Sequence, residues 1–284
     1  MQHFIAQIAG GCGISFSGFE QVQGGDINEA WQLLSAGTCY FLKLNEADRF
    51  PGMFAMEAAG LQALRNNSSI IVPQTIQYGL LQEKQWLLLQ WIEKGSSNTD
   101  SLKNFGAALA RMHQQPQAYF GWQQHNYIGS LQQVNTQQEN WEAFFTQCRI
   151  MPLVKILFDT HIFSKQDLQH AAALCTAADN LFPQEAPALL HGDLWAGNYM
   201  INAGGKAVMY DPAVYFGHRE MDIAMTLLFG GFSQSFYDAY NEQYPLQQGW
   251  RNRLPLTQLY PLLVHAVLFG GHYVARTREI ISKF

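Results

Sequence analysis

The sequence predicts an α+β chain of two lobes, a small antiparallel sheet with one helix over residues 1–91 and a larger, mainly helical lobe over 92–284. Three observations predict it. The chain has 284 residues, more than the roughly 100–150 common for one domain. Hydrophobic residues make up 48% and charged residues 14%, the reverse of the polar, charge-rich composition that leaves a chain disordered. The hydrophobic period also changes near residue 91, from short strand-like runs to helical spacing.

In the first lobe, apolar runs bounded by turn residues read as strands at 16–22, 30–34, 39–44, 75–81 and 85–90. One helix interrupts them at 53–65, where Phe54, Leu61 and Leu64 fall near one face and Ala58, Ala59 and Ala63 suit a helix interior. Past Trp91 the pattern turns helical, with Thr99 or Asp100 as N-cap and Leu102, Phe105, Leu109 and Met112 following at intervals of 3, 4 and 3. Further helices are expected at 138–149, 165–181, 220–229, 233–243 and 257–281. The exception follows residue 190. There 199–201 and 207–210 read as two short strands joined by Asn202, Ala203, Gly204, Gly205 and Lys206. No internal repeat or low-complexity linker occurs.

Charge and composition then exclude several classes. Seventeen basic against 22 acidic residues give a net charge of -5, so the chain lacks the positive field that binding a phosphate backbone requires, and no nucleic-acid partner is expected. The four cysteines, Cys12, Cys39, Cys148 and Cys175, are far apart and form no CxxC pair, and read as reduced thiols packed as small hydrophobes. The N-terminal run has no basic flank and carries Gln2 and Gln7, unlike a signal peptide, which points to a cytoplasmic protein. Residues 254–275 carry no acidic, lysine or arginine residue but contain Pro255, Pro261, two histidines and two glycines, and read as buried helix rather than a membrane span. Neither terminus carries a lipidation motif.

The chemistry concentrates in HGDLWAGN at 191–198, the hairpin after it, and Asp211. Pairing symmetric about the turn puts Ile201 opposite Val208 and Asn198 opposite Asp211. A carboxylate and an amide oxygen side by side suit Mg²⁺ when phosphate oxygens and water complete its octahedron. Asp193, on a loop flanked by Gly192 and Gly197, is then placed to accept a proton. This order resembles the catalytic and metal loops of protein-kinase-like phosphotransferases. Pro212 and Ala213 stand where protein kinases carry Phe-Gly, which points to the small-molecule branch. Such a kinase needs a strand lysine for phosphate and a helix carboxylate to hold it, and Lys43 and Glu57 occupy those elements in that order. The phosphate-covering turn is GGDIN at 24–28, where Gly24 and Gly25 let backbone amides approach phosphate. No Walker motif surrounds Gly205-Lys206, and Gly11 and Gly13 do not complete a dinucleotide fingerprint. His113 reads as a packing histidine.

The longer string DPAVYFGHREMDIA at 211–224, with HGDLWAGN upstream, resembles the fructosamine kinase family, also called ketosamine kinases. Phe120-Gly121 followed by NYIG at 126–129, WEAFFTQCR at 141–149 and LFGG at 268–271 resemble it as well, so the likeness spans nearly the whole chain. The resemblance implies a two-lobed, protein-kinase-like fold that uses ATP and Mg²⁺ to phosphorylate the third-carbon hydroxyl of a ketosamine, small or protein-bound, in deglycation. Ribulosamines and erythrulosamines are the favoured sugars among its bacterial-looking members. Carried over, Asp193 is the general base, Asn198 and Asp211 hold Mg²⁺, Lys43 grips phosphate and Glu57 orients it. Gln90, Trp91, Ile92 and Glu93 form the hinge toward adenine, Asp222 braces the catalytic loop, and Trp195, His218, Arg219 and Glu220 are substrate-side candidates. The redox cysteine that some members carry in the glycine-rich loop is missing from GGDIN. Two alternatives stay open: an aminoglycoside, choline or homoserine kinase of the same fold, and a nucleotide-binding pseudokinase scaffold.

Overall fold

Alternation along a strand sends successive side chains to opposite faces, and in this chain that rule separates a structural face from a working one. The computed structural model describes residues 1–22, 27–35 and 37–284. Strands β1 (Phe16–Gln21), β2 (Glu29–Ser35), β3 (Thr38–Glu46), β4 (Thr75–Leu81) and β5 (Lys84–Gln90) form an antiparallel sheet in the order β1-β2-β3-β5-β4. Leu42 and Leu44 of β3, with Leu33, Trp86 and Leu88, pack against Ile5, Ile8 and Ala9 of α1 (Gln2–Gly11). Lys43, one residue out of phase, points to the other side, toward α2 (Met53–Asn67).

The sequence reading assigns no element before residue 16. A ten-residue helix is marginal alone, and α1 forms because its three buried residues cover the outer face of the sheet. α2 buries Phe54, Ala58, Leu61 and Leu64, a helical spacing that places Gly60 against the segment after Asp211. A Cβ on Gly60 would stand 3.2 Å from a Val214 methyl. Glycine thus lets α2 close on that segment and brings Glu57, one turn earlier on the same face, beside it.

In the larger lobe, α3 (Thr99–His113) is capped by Asn98, whose side chain accepts the Ser101 amide at 2.8 Å. The cap is one residue ahead of Thr99 and two ahead of Asp100, the expected positions, since Asn can satisfy an orphan amide as they would. α3 packs along the helix Gln234–Gln243. The helix expected at 138–149 starts at Trp141, widens into a π-helical stretch Phe145–Ile150 and continues as Met151–Asp159. The one expected at 257–281 is three pieces, Leu254–Thr257, Leu259–Phe269 and His272–Ile281. The last break falls where Gly270 and Gly271 take φ of 65° and 59°, a region other residues enter only at a cost. No helix among the described residues is long and apolar enough to cross a membrane.

The hairpin after residue 190 forms as Tyr199–Ile201 and Ala207–Met209, one residue out of the symmetric register. Ala207 faces Ile201, and the Tyr210 amide donates to the Asn198 carbonyl, so Asn198 opposes Tyr210 and not Asp211. The turn decides this. Asn202 N–H donates to the Lys206 carbonyl while its side chain accepts the Lys206 amide, which centres the loop on Gly204. The outer edge of the hairpin joins the sheet lobe, the Met209 amide donating to the Ile71 carbonyl at 2.9 Å.

Candidate active site

A cleft of about 810 Å³ lies between the sheet and the helical lobe. Lys43, Glu57, Asp193, Asn198 and Asp211 all line it, as do Gln90, Trp91, Ile92, Glu93 and Trp195. Lys43 Nζ donates to Glu57 Oε1 at 2.8 Å and to Asp211 Oδ1 at 2.7 Å. Burial works against the ammonium, but the two carboxylates outweigh it and hold the lysine above its ordinary pKa. The same burial raises the Glu57 carboxyl, against the pull of Lys43. Asp211 takes φ 53°, a left-handed conformation that costs a residue with a Cβ about 1–3 kcal/mol and persists only where surrounding contacts impose it.

The segment that begins at His191 and carries Asp193 is held by Asp222, in the first turn of the helix Glu220–Leu228. Its carboxylate accepts the amides of His191 at 2.8 Å and Gly192 at 2.9 Å, and His113 Nε2 stands 3.3 Å away. Desolvation would raise this carboxyl; hydrogen bonds and charge from His113, with His191 and the Gly192 amide, bring it below its usual range. Gly192 has φ 83°, and a Cβ there would meet the Ala213 carbonyl at 2.0 Å, so only glycine fits. His191 is buried and pushed toward its neutral form. Its Nε2–H donates to the Tyr210 carbonyl and Nδ1 faces the Asp193 amide, which fixes the tautomer.

Asn198 Nδ2 donates to the Asp193 carbonyl at 2.8 Å and to its carboxylate at 2.9 Å. Burial first, then the nearby Asp211 and Asp222 charges, push the Asp193 carboxyl up to about 7 against that hydrogen bond. Both Asn198 contacts are acceptors, so its Nδ2 faces Asp193 and Oδ1 is left for another partner. Among the described residues neither Asn198 Oδ1 nor Asp211 Oδ2 receives a protein hydrogen bond. No cluster of three His, Cys, Asp or Glu among the described residues forms a closed metal site. Two unclaimed hard oxygens without a third protein ligand fit a Mg²⁺ ion that completes its shell with phosphate and water.

A family model described as fructosamine kinase matches residues 2–284. The chain belongs to the fructosamine kinase family. It is 37% identical over 265 residues to a probable ketoamine kinase of Enterococcus faecium, covering 93% of this chain and 94% of that one. It is 38% identical over 267 residues to another of Lactiplantibacillus plantarum, covering 93% of each. Among solved structures it is similar to a candidate fructosamine-3-kinase of Thermobifida fusca, with a TM-score of 0.88 and 33% identity over 98% of this chain and 96% of that one. An aminoglycoside phosphotransferase shares the fold alone, at TM-score 0.63 and 13% identity over 100% of this chain and 99% of that one. The two-lobed, protein-kinase-like fold and an ATP-dependent kinase activity of the fructosamine and ketoamine kinase type follow from membership.

Other sequence-predicted residues of this fructosamine kinase family chain lie elsewhere. Gly24 and Gly25 fall outside the described residues. His218, Arg219 and Glu220 are 1–2% exposed and do not line the cleft, which corrects their reading as substrate-side groups. Arg219 is forked onto Glu185 at 2.8 Å through Nε and Nη2 and lies 3.6 Å over the Tyr244 ring. Glu220 takes Arg253 Nε at 2.9 Å, and His218 packs against Trp141 and Phe182. These partners sit 25 or more residues away in sequence, so nothing local marks the three as internal. His113 is a packing residue as expected, buried with Nδ1 2.8 Å from the Tyr240 hydroxyl.

A hairpin to which the sequence reading assigns no element joins Asn126–Ile128 and Leu131–Gln133, and its tip, Gly129-Ser130, lines the cleft. A two-residue Gly-Ser loop between short paired runs is the signal that identifies it. Val264, His265 and Leu268 of the helix Leu259–Phe269 close the far wall and carry no sequence signal beyond helical spacing.

Proposed function

We propose that this chain uses ATP and Mg²⁺ to phosphorylate the third-carbon hydroxyl of a ketosamine, releasing the amine as the product decomposes. The observation that carries the reading is the convergence, on one cleft, of the Lys43–Glu57–Asp211 ion cluster with an Asp193 carboxyl poised near neutrality and held by Asn198. Asp193 accepts or orients the acceptor hydroxyl. Because phosphoryl-transfer transition states are loose, its placement counts for more than full proton removal. Asn198 Oδ1 and Asp211 would hold Mg²⁺, whose chemistry is to neutralise charge on the phosphate oxygens. Lys43 grips phosphate, with Glu57 keeping its ammonium in place, and the 90–93 segment meets adenine beside the apolar Val22, Ala30 and Leu89. Trp195 lines the cleft with 38% exposure, and the reading assigns it to the acceptor.

The test supplies ATP, Mg²⁺ and a panel of ribulosamine, erythrulosamine, fructosamine, an aminoglycoside and choline, and follows ADP release in the native chain and in Asp193→Ala. Turnover on ketosamines that is lost in Asp193→Ala supports the reading. Turnover confined to choline or the aminoglycoside overturns the substrate. ATP binding without turnover on any of them, unchanged in Asp193→Ala, overturns the kinase.

A further inference from the structure

Three strings separated in sequence, 126–129, 141–149 and 211–216, meet in one buried hydrogen-bond relay. Its head is Arg149, 0% exposed in the π-helical stretch, with its guanidinium 4.0 Å over the Tyr215 ring and 4.4 Å over Phe144. It donates to the carbonyls of Val134 and Cys148 and, at 2.8 Å, to Asn135 Oδ1. No carboxylate pairs with it among the described residues, and its Nε has no partner. An arginine can only donate, so the Asn135 atom that faces it is the oxygen. Asn135 Nδ2 therefore donates onward to Asn126 Oδ1 at 2.7 Å, and Asn126 Nδ2 to the Val214 carbonyl at 2.9 Å. Gln133 forms a second branch. Its Oε1 accepts the Tyr260 hydroxyl at 2.7 Å, and its Nε2 donates to Asn126 Oδ1 at 2.8 Å and the Ala213 carbonyl at 3.0 Å.

Every amide in the relay is oriented by the group before it, and both branches end on carbonyls two and three residues past Asp211. We propose that Arg149, Asn135, Asn126 and Gln133 are positioning residues that grip the Ala213-Val214 backbone and thereby hold Asp211 in its left-handed conformation facing Lys43. A cation at the head of a chain of polarisable hydrogen bonds strengthens each bond along it. The gripped segment is tied to the catalytic loop as well, the Ala213 amide donating to the His191 carbonyl at 2.9 Å, so one anchor serves both loops. The role in metal binding rests on the proposed function; the grip on the backbone does not.

Asn135→Asp separates positioning from mere housing of a charge. It supplies the carboxylate that Arg149 lacks while removing the donor to Asn126. If the cluster only buried a cation, the new ion pair would leave stability and activity unchanged or improved. The relay predicts faster amide hydrogen exchange across 211–217 in the metal-free protein. It also predicts a rise of about tenfold in the free Mg²⁺ needed for half-maximal activation, the scale seen when a residue behind a metal ligand is lost, with KM for the ketosamine within about twofold. Gln133→Glu, which removes the second branch, shows the same changes at smaller size. Unchanged exchange and unchanged Mg²⁺ dependence in both variants overturn the relay. Faster exchange in Asn135→Asp supports it even if the native chain turns over no ketosamine, so failure of the kinase reading and failure of the relay are read separately.

Discussion

Lys43 and Arg149 are both sealed from solvent, at 4% and 0% exposure, yet one is met by two carboxylates and the other by neutral carbonyls, an amide and ring faces. The difference follows their place. Lys43 lines the cleft, and its partner Asp211 has a side chain 39% exposed, so on the proposed function one of its contacts is open to exchange with phosphate or metal. Arg149 faces the core, where nothing can be exchanged, and acceptors without charge hold it permanently. Arg219 is a third case, forked onto the buried Glu185. The partner of a buried cation thus separates a working group from a fixed one: exchangeable carboxylate for the first, sealed carboxylate or neutral acceptors for the second.

Four experiments break or sharpen that contrast. Lys43→Met removes the ammonium that Glu57 and Asp211 share, and on the proposed function the rate of ADP release is expected to fall on the order of 10³-fold or more with the circular dichroism spectrum unchanged. Arg219→Met strands the Glu185 carboxylate in the interior, and urea unfolding should show a loss of about 3–5 kcal/mol, the usual cost of breaking a buried pair. Arg149→Met strands only neutral acceptors, and the same titration should show about 1–3 kcal/mol. An Arg149 loss larger than that of Arg219 would remove the distinction.

The fourth experiment is the smallest in size and the sharpest in sign. Burial would raise the Glu185 carboxyl, but Arg219 hydrogen bonds and neighbouring positive charge outweigh it and hold it below its ordinary 4.5. A carboxyl lowered on folding contributes stability that is present above its unfolded pKa and lost as pH falls through the folded one. In Arg219→Met the stranded carboxyl takes up a proton at higher pH than in the native chain. The stability deficit of that variant should therefore shrink between pH 7 and 5, whereas the Arg149→Met deficit stays flat because no carboxylate among the described residues pairs with it. An Arg149→Met deficit that shrinks as well would show that Arg149 has a charged partner, and an Arg219→Met deficit that stays flat would show that Glu185 is not stranded.

Local signals in the chain reached far into the site. HGDLWAGN is contiguous, so the loop carrying Asp193 and Asn198 could be recognised from eight residues. The strand holding Lys43 and the helix holding Glu57 were legible from period, and the order of elements in a kinase-like pattern singled out the two residues. The hairpin was legible in existence and not in register, because one side-chain-to-backbone bond at Asn202 decides between two pairings that the apolar pattern does not separate. His218, Arg219 and Glu220 stand in a string that resembles the family's, and the resemblance alone makes them substrate-side candidates. Glu185, Tyr244 and Arg253 turn them inward.

By itself the sequence determined what short-range physics controls: the change of period near residue 91, the five strands, the catalytic-loop string, and a composition poor enough in charge to require a large core. Tertiary structure decided whatever depends on a distant partner. It set the tilt of α2 onto Val214 through Gly60, the convergence of Lys43 and Asp211 across 168 residues, and the burial of charges whose acceptors are backbone carbonyls. A carbonyl is present in every residue and leaves no mark in sequence, so a site assembled on carbonyls becomes visible only when the chain has folded around them.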